Sequence, residues 1–169
     1  MAHGFYHYIK QAWKKPDAET LRKRMTEWRQ ENVISRVEKP LRLDKARALG
    51  YKAKKGFVIA RVRVRRGGHA RPRPNKGRRG KRMHTNKNLI LNYRTIAEQR
   101  VAKKFRNLEV LNSYNIGKDG MNYFFEVILV DPQANEIKND KTMKWISTGK
   151  HKKRVLRGLT SASHKSRGI

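Results

Sequence analysis

An α+β body carrying long basic irregular extensions is the architecture this sequence predicts. Three observations lead there. Apolar residues recur at helical spacing in three stretches and alternate or run together at strand spacing in three others. The chain between them is rich in Lys, Arg, Gly and Pro, and offers too little apolar surface to bury.

Phe5, Tyr8, Ile9, Ala12 and Trp13 fall at i, i+3, i+4, i+7 and i+8, an apolar stripe on a first helix. Pro16 follows it, and Asp17 or Thr20 is placed to cap a second helix. There Leu21, Met25, Trp28 and Asn32 share a face, with Glu27 and Glu31 as internal partners for nearby basic residues. Pro40 ends this region. From Gly56 to Arg65 the chain alternates. Val58, Ala60, Val62 and Val64 are expected to pack inward, with Arg61, Arg63 and Arg65 on the opposite face about 6.6 Å apart. Residues 66–84 contain Gly67, Gly68, Pro72, Pro74, Gly77 and Gly80, which disfavour regular structure. Leu89 to Phe105 reads as a third helix with Tyr93, Ile96, Ala97, Val101 and Phe105 inward and Asn86 or Asn88 as caps. Strands are expected from Leu108 to Ile116, with Val110, Asn112 and Tyr114 on one face, and from Tyr123 to Val130. The second is apolar on both faces and therefore central. Gly117 to Gly120 is the turn between them, and Asp131-Pro132 stops the hairpin. Met143 to Ile146 fits a short strand or an irregular segment, and the chain is basic and Gly/Ser-rich from Gly149. One domain is expected, with basic extended segments at about 66–88 and 149–169.

Charge is the strongest signal. The 169 residues contain 43 Lys and Arg against 13 Asp and Glu, a net charge of +30. Self-repulsion on this scale calls for a polyanionic partner. Its distribution is uneven: residues 45–97 hold eighteen basic residues and no acid, and residues 141–169 hold nine and no acid. Residues 98–140, with six basic and seven acidic residues, look like ordinary folded protein. No run of about 18 apolar residues suggests a membrane span, and no signal-peptide pattern is evident. Cysteine is absent, which removes disulfides and thiolate metal sites and fits an intracellular setting.

Catalytic and metal chemistry find little support. His3 and His7 share a helical face but lack a third ligand. No phosphate-binding loop spacing occurs. Glu126 and Asp131 lie near strand ends and could suggest a nuclease, but capping and turn roles explain them as well. Trp13, Trp28 and Trp145 suit core or docking anchors better than base-stacking platforms. An architectural DNA-binding protein and an RNA-processing enzyme stand as alternatives to a structural RNA-binding protein.

Longer strings carry more information. Residues 44–58, Asp-Lys-Ala-Arg-Ala-Leu-Gly-Tyr-Lys-Ala-Lys-Lys-Gly-Phe-Val, continue to Arg65-Arg66-Gly67-Gly68. Val110-Leu-Asn-Ser-Tyr-Asn-Ile-Gly, the run from Tyr123 to Pro132, and Arg157-Gly-Leu-Thr-Ser-Ala-Ser-His-Lys-Ser-Arg-Gly168 follow in order. With Tyr8-Ile-Lys-Gln-Ala-Trp-Lys-Lys15, these resemble protein fifteen of the archaeal and eukaryotic type of large ribosomal subunit, over essentially the whole chain. The resemblance implies an α+β fold, a small mixed or antiparallel sheet packed with helices, with long RNA-binding extensions. It implies a structural, non-enzymatic role in scaffolding large-subunit ribosomal RNA beside neighbouring ribosomal proteins, in the cytoplasm. Relatives usually continue with a further basic stretch after the Ser-Arg-Gly string, whereas this chain stops at Ile169.

The expected RNA-binding residues form three groups. Lys52, Lys54, Lys55, Arg61, Arg63, Arg65 and Arg66 make one basic surface, its arginine comb free of nearby acids. Arg71, Arg73, Lys76, Arg78, Arg79, Lys81 and Arg82 make an extension that orders between RNA segments. His151, Lys152, Lys153, Arg154, Arg157, Lys165 and Arg167 make another. Reversing the charge of the whole comb is expected to cut RNA affinity and leave the fold intact. No cofactor, membrane or small-molecule substrate is expected, and Mg²⁺ enters only as a counter-ion of the RNA.

Overall fold

Capping and stripe signals set the first two helices. The computed structural model describes residues 3–72, 77, 80 and 86–169. Helix α1 spans Phe5–Lys14. Helix α2 spans Ala18–Gln30, and the Asp17 carboxylate accepts from the Thr20 backbone N–H at its start. A short edge strand, β1 (Ile34–Val37), and helix α3 (Leu43–Ala48) follow, neither foreseen from the sequence. The long strand β2 is Phe57–Arg65, and β3 (His69–Ala70) pairs with β4 (Asn86–Lys87) in a small ribbon. Helix α4 (Tyr93–Lys104) begins at Asn92, whose side chain accepts from the Thr95 N–H. Asn86 and Asn88 therefore do not cap it: Asn86 lies in β4, and the first turn starts at Tyr93. Strands β5 (Glu109–Lys118) and β6 (Asn122–Val130) form the expected hairpin, followed by α5 (Asn135–Lys138). Lys144–Ser147 is a 3-10 turn and not a strand. Helix α6 is Ser161–Ser166.

The four-stranded sheet is antiparallel in the order β1-β2-β6-β5. The strand β6, apolar on both faces apart from the buried Glu126, is central, as a strand covered on both faces must be. One face carries Ala60, Val62, Val64, Phe125, Val127 and Leu129 beneath Ala97 and Val101 of α4. The other carries Ile59, Phe124 and Ile128 beneath Trp28 of α2 and Ala46 of α3. The fold is thus an antiparallel sheet between helices, α+β as expected.

Two expectations about faces change. Of the residues opposite the valines of β2, Arg61 and Arg63 are half-buried, because α2 packs over that face, while Arg65 at the strand end is exposed. In β5 a register shift between Val110 and Asn112 adds a residue. A one-residue slip exchanges the faces of a strand. Val110 packs with the α4 layer, while Tyr114 and Ile116 pack with the α2 layer. Gly117 lies within β5, and the turn proper centres on Asp119, whose carboxylate accepts from the Met121 and Asn122 N–H groups.

The stretch from Gly149 is less irregular than its composition suggests. Val155, Thr160, Ala162 and Ser163 are buried. Asn92 at the head of α4 donates to the Ala162 carbonyl at 2.9 Å.

Candidate nucleic-acid interface

The basic residues divide into those the fold uses and those it leaves outward. Arg61 belongs to the first class. Its guanidinium lies 2.5 Å from the Glu31 carboxylate and 5.3 Å from the Trp28 ring centre, with 16 % of the side chain exposed. Burial opposes the Glu31 charge, but hydrogen bonds from Arg61 and Ser35 outweigh it and hold that carboxyl below its ordinary value. Arg63 donates to the Arg29 carbonyl and is half-buried. Only Arg65 of the three is exposed. The comb is therefore not free of acids, and its first two teeth brace α2 against the sheet. The missed signal was Glu31 at the end of α2, remote from Arg61 in sequence and adjacent across the packed layer.

At the end of the sheet where β2 begins, Lys52 and Lys54 converge on Asp140 at 2.8 and 2.5 Å. Their hydrogen bonds, with those of Thr142, hold the Asp140 carboxyl far below the carboxylate range. Lys55 next to them is exposed. Near the same end, Arg154 donates to the Val110 and Leu111 carbonyls at 2.8 and 2.7 Å and lies over the Trp145 ring. His151 meets that ring edge-on at 4.8 Å. Lys152 and Lys153 are exposed, and the Lys153 N–H donates to Glu109. Arg157 donates to the Lys150 carbonyl and Arg167 to that of Gly158, which leaves both side chains exposed, as is Lys165.

Where β2 ends, Arg66 donates to the Asp119 carbonyl at 2.7 Å and lies 5.2 Å from the Tyr123 ring centre. Arg71 is exposed. Arg73, Lys76, Arg78, Arg79, Lys81 and Arg82 lie outside the described residues. The basic groups thus gather at both ends of a strand about 26 Å long, and the lysine and arginine groups at the two ends belong to different loops.

The acids that could suggest catalysis serve structure. Glu126 sits mid-strand, fully buried, accepting from the Tyr114 hydroxyl at 2.5 Å and from the Leu41 N–H at 3.1 Å. Burial pushes its carboxyl above the ordinary value despite those bonds. Asp131 accepts from the Gln133 N–H in the turn after β6. Among the described residues no group of three or more His, Asp or Glu is placed to hold a metal, and His3 and His7 stack on each other.

The family described as Ribosomal L15 matches residues 4–169. The chain belongs to the ribosomal L15e family. This L15e protein is accordingly a structural constituent of the large ribosomal subunit, and its place is the ribosome. No helix among the described residues is long and apolar enough to cross a membrane.

Sequence reasoning also passed over the surface of this L15e protein around α1 and α3. Arg42 lies 5.0 Å from the Trp13 ring centre and Arg47 over the Tyr6 ring. Phe5 and Tyr8 remain 68 % and 57 % exposed, so the stripe of α1 is only partly used within the chain.

Proposed function

We propose that this L15e chain binds and stabilises folded large-subunit ribosomal RNA by neutralising phosphates at both ends of its sheet. The observation that carries this is the imbalance left after internal pairing. Six ion pairs form among the described residues, against 43 Lys and Arg in the chain. A charge so poorly compensated is stable only beside a polyanion.

The folded sheet supplies rigid anchoring for Lys55, Arg65, Arg66, Lys152 and Lys153, so less freedom is lost when they meet phosphate. Lys52, Lys54 and Arg61 shape that surface and contribute long-range charge. Residues 66–88 are the extension that orders between RNA segments. RNA shape and 2′-hydroxyl contacts supply most of the recognition. No reaction is catalysed, no cofactor is needed, and Mg²⁺ serves as a counter-ion of the RNA. Neighbouring ribosomal proteins are further partners in the cytoplasmic ribosome.

Sedimentation of a lysate through a high-salt gradient tests the reading. Co-migration with large subunits in equal amount is the expected result. Release to the top of the gradient, or migration with DNA, would overturn it.

A further inference from the structure

The groove between α1 and α3 has a volume of about 400 Å³ and is bordered by Lys10, Trp13, Lys14, Arg42, Asp44 and Lys45. Its rim is basic, with Lys10, Lys14 and Lys45 all exposed. Its one acid, Asp44, has a side chain only 2 % exposed. Among the described residues Asp44 Oδ1 receives no hydrogen bond, and Oδ2 lies 3.6 Å from the Arg42 guanidinium. The buried Nε–H of Arg42 likewise has no acceptor. A buried carboxylate oxygen and a buried guanidinium N–H left unpaired side by side are costly in an isolated fold, and natural proteins seldom leave them so.

We infer that this groove receives one unpaired guanine nucleotide of the bound RNA, with Asp44 and Arg42 reading the base and the lysine rim holding its phosphates. The chemistry selects the occupant. A carboxylate only accepts, so it prefers an edge with adjacent donors. Guanine alone offers two neighbouring N–H donors, N1 and N2, followed by an acceptor, O6, which suits the Arg42 N–H. Adenine and cytosine place a ring acceptor beside their amino group, and uracil flanks its single donor with two carbonyls. The half-buried Trp13 ring, with the Arg42 guanidinium 5.0 Å from its centre, supplies an aromatic surface beside the base. Trp13 then has a role outside the core, unlike the anchor its sequence context suggests.

The inference rests on the RNA reading above, and the test separates the two. The full chain is titrated with labelled pentaribonucleotides of uridine whose central residue is guanosine, inosine, adenosine, cytidine or uridine, at one fixed moderate salt concentration. Guanosine should bind about tenfold more tightly than uridine, adenosine or cytidine, the discrimination of one good bidentate pair. Inosine, which lacks only the N2 amino group, should lose most of that advantage. Asp44→Asn should flatten the preference while retaining salt-dependent binding, its folding checked by thermal unfolding. The inosine comparison needs no protein variant, so it decides even where Asp44→Asn folds poorly. Equal binding of all five by the unaltered chain, or a guanine preference that survives Asp44→Asn, would overturn the groove and leave the phosphate reading standing. Failure to bind any of them would also overturn the groove, while the phosphate reading stands or falls on sedimentation with the large subunit.

Discussion

Arg61 and Glu31 form an ion pair across the α2–sheet interface, roofed by the Trp28 ring. Arg61→Ala should therefore act first on the fold. Glu31 keeps over a third of its side chain in solvent, which screens part of the loss. The lost charged hydrogen bonds and ring contact should still cost about 2 kcal/mol. Urea unfolding measures this. An unchanged midpoint, with RNA binding sharply weakened, would restore Arg61 to the role of a free phosphate ligand.

Lys52 and Lys54 share Asp140, so Asp140→Asn should release two cations at the edge of the proposed RNA surface. The thermal midpoint should fall, and RNA affinity should hold or rise by up to about a few-fold at moderate salt, with a steeper salt dependence. Weaker RNA binding by a variant that remains folded would show that the two lysines act only when clamped.

Glu98 is fully buried, accepting from Ser113 at 2.5 Å and Thr160 at 2.6 Å. Burial pushes its carboxyl above 4.5, against those hydroxyls and the charges of Arg94 and Arg154. The folded state therefore holds the proton more tightly than the unfolded chain. This stabilisation is complete below about pH 4.5 and is lost as pH rises through the elevated folded value. Glu98→Gln cannot titrate, so its stability relative to the parent should climb over that window and then level. Thermal midpoints across acid and neutral pH would reveal parallel curves if the carboxyl were ordinary.

Gly56 and Gly67 both have positive φ, 90° and 102°, but differ in surroundings. A β-carbon at Gly56 would lie 2.6 Å from Ile137, whereas none of the described residues lies within 4 Å at Gly67. Gly67→Ala should cost about 1 kcal/mol from backbone strain alone, and Gly56→Ala about 3 kcal/mol with the added clash. Equal losses in denaturant titrations would mean that Ile137 moves aside freely.

Periodicity made the helices and the central strand legible, because one-sided burial leaves its period in the residue order. The inward set of α4 (Tyr93, Ile96, Ala97 and Val101) and Phe105 just after it pack as read. What escaped was everything decided by a partner distant in sequence. β1 and α3 are too short to show a period. The β5 bulge depends on pairing with β6 and moves Tyr114 to the face opposite Val110. The candidate site was legible as a charge distribution and not as a division of labour. Nothing near Arg61 or Lys54 in the chain announces Glu31 or Asp140 as its partner. The unpaired atoms of Arg42 and Asp44 become visible only when the α1–α3 groove is assembled.

Thr160 reaches Glu98 across 62 positions, and Arg154 reaches the Val110 carbonyl across 44. Contacts so distant along the chain close slowly and add to the contact order that retards folding. The β5–β6 hairpin is local and can form as soon as Val130 emerges during synthesis. The seal between α4 and β5 cannot, because its last hydroxyl and guanidinium arrive some thirty residues later. Until then Glu98 and the carbonyls of β5 are unsatisfied, and a strongly cationic, half-consolidated chain is exposed to any nearby nucleic acid. Escort by an acidic chaperone, or docking on RNA while translation continues, would shorten that interval.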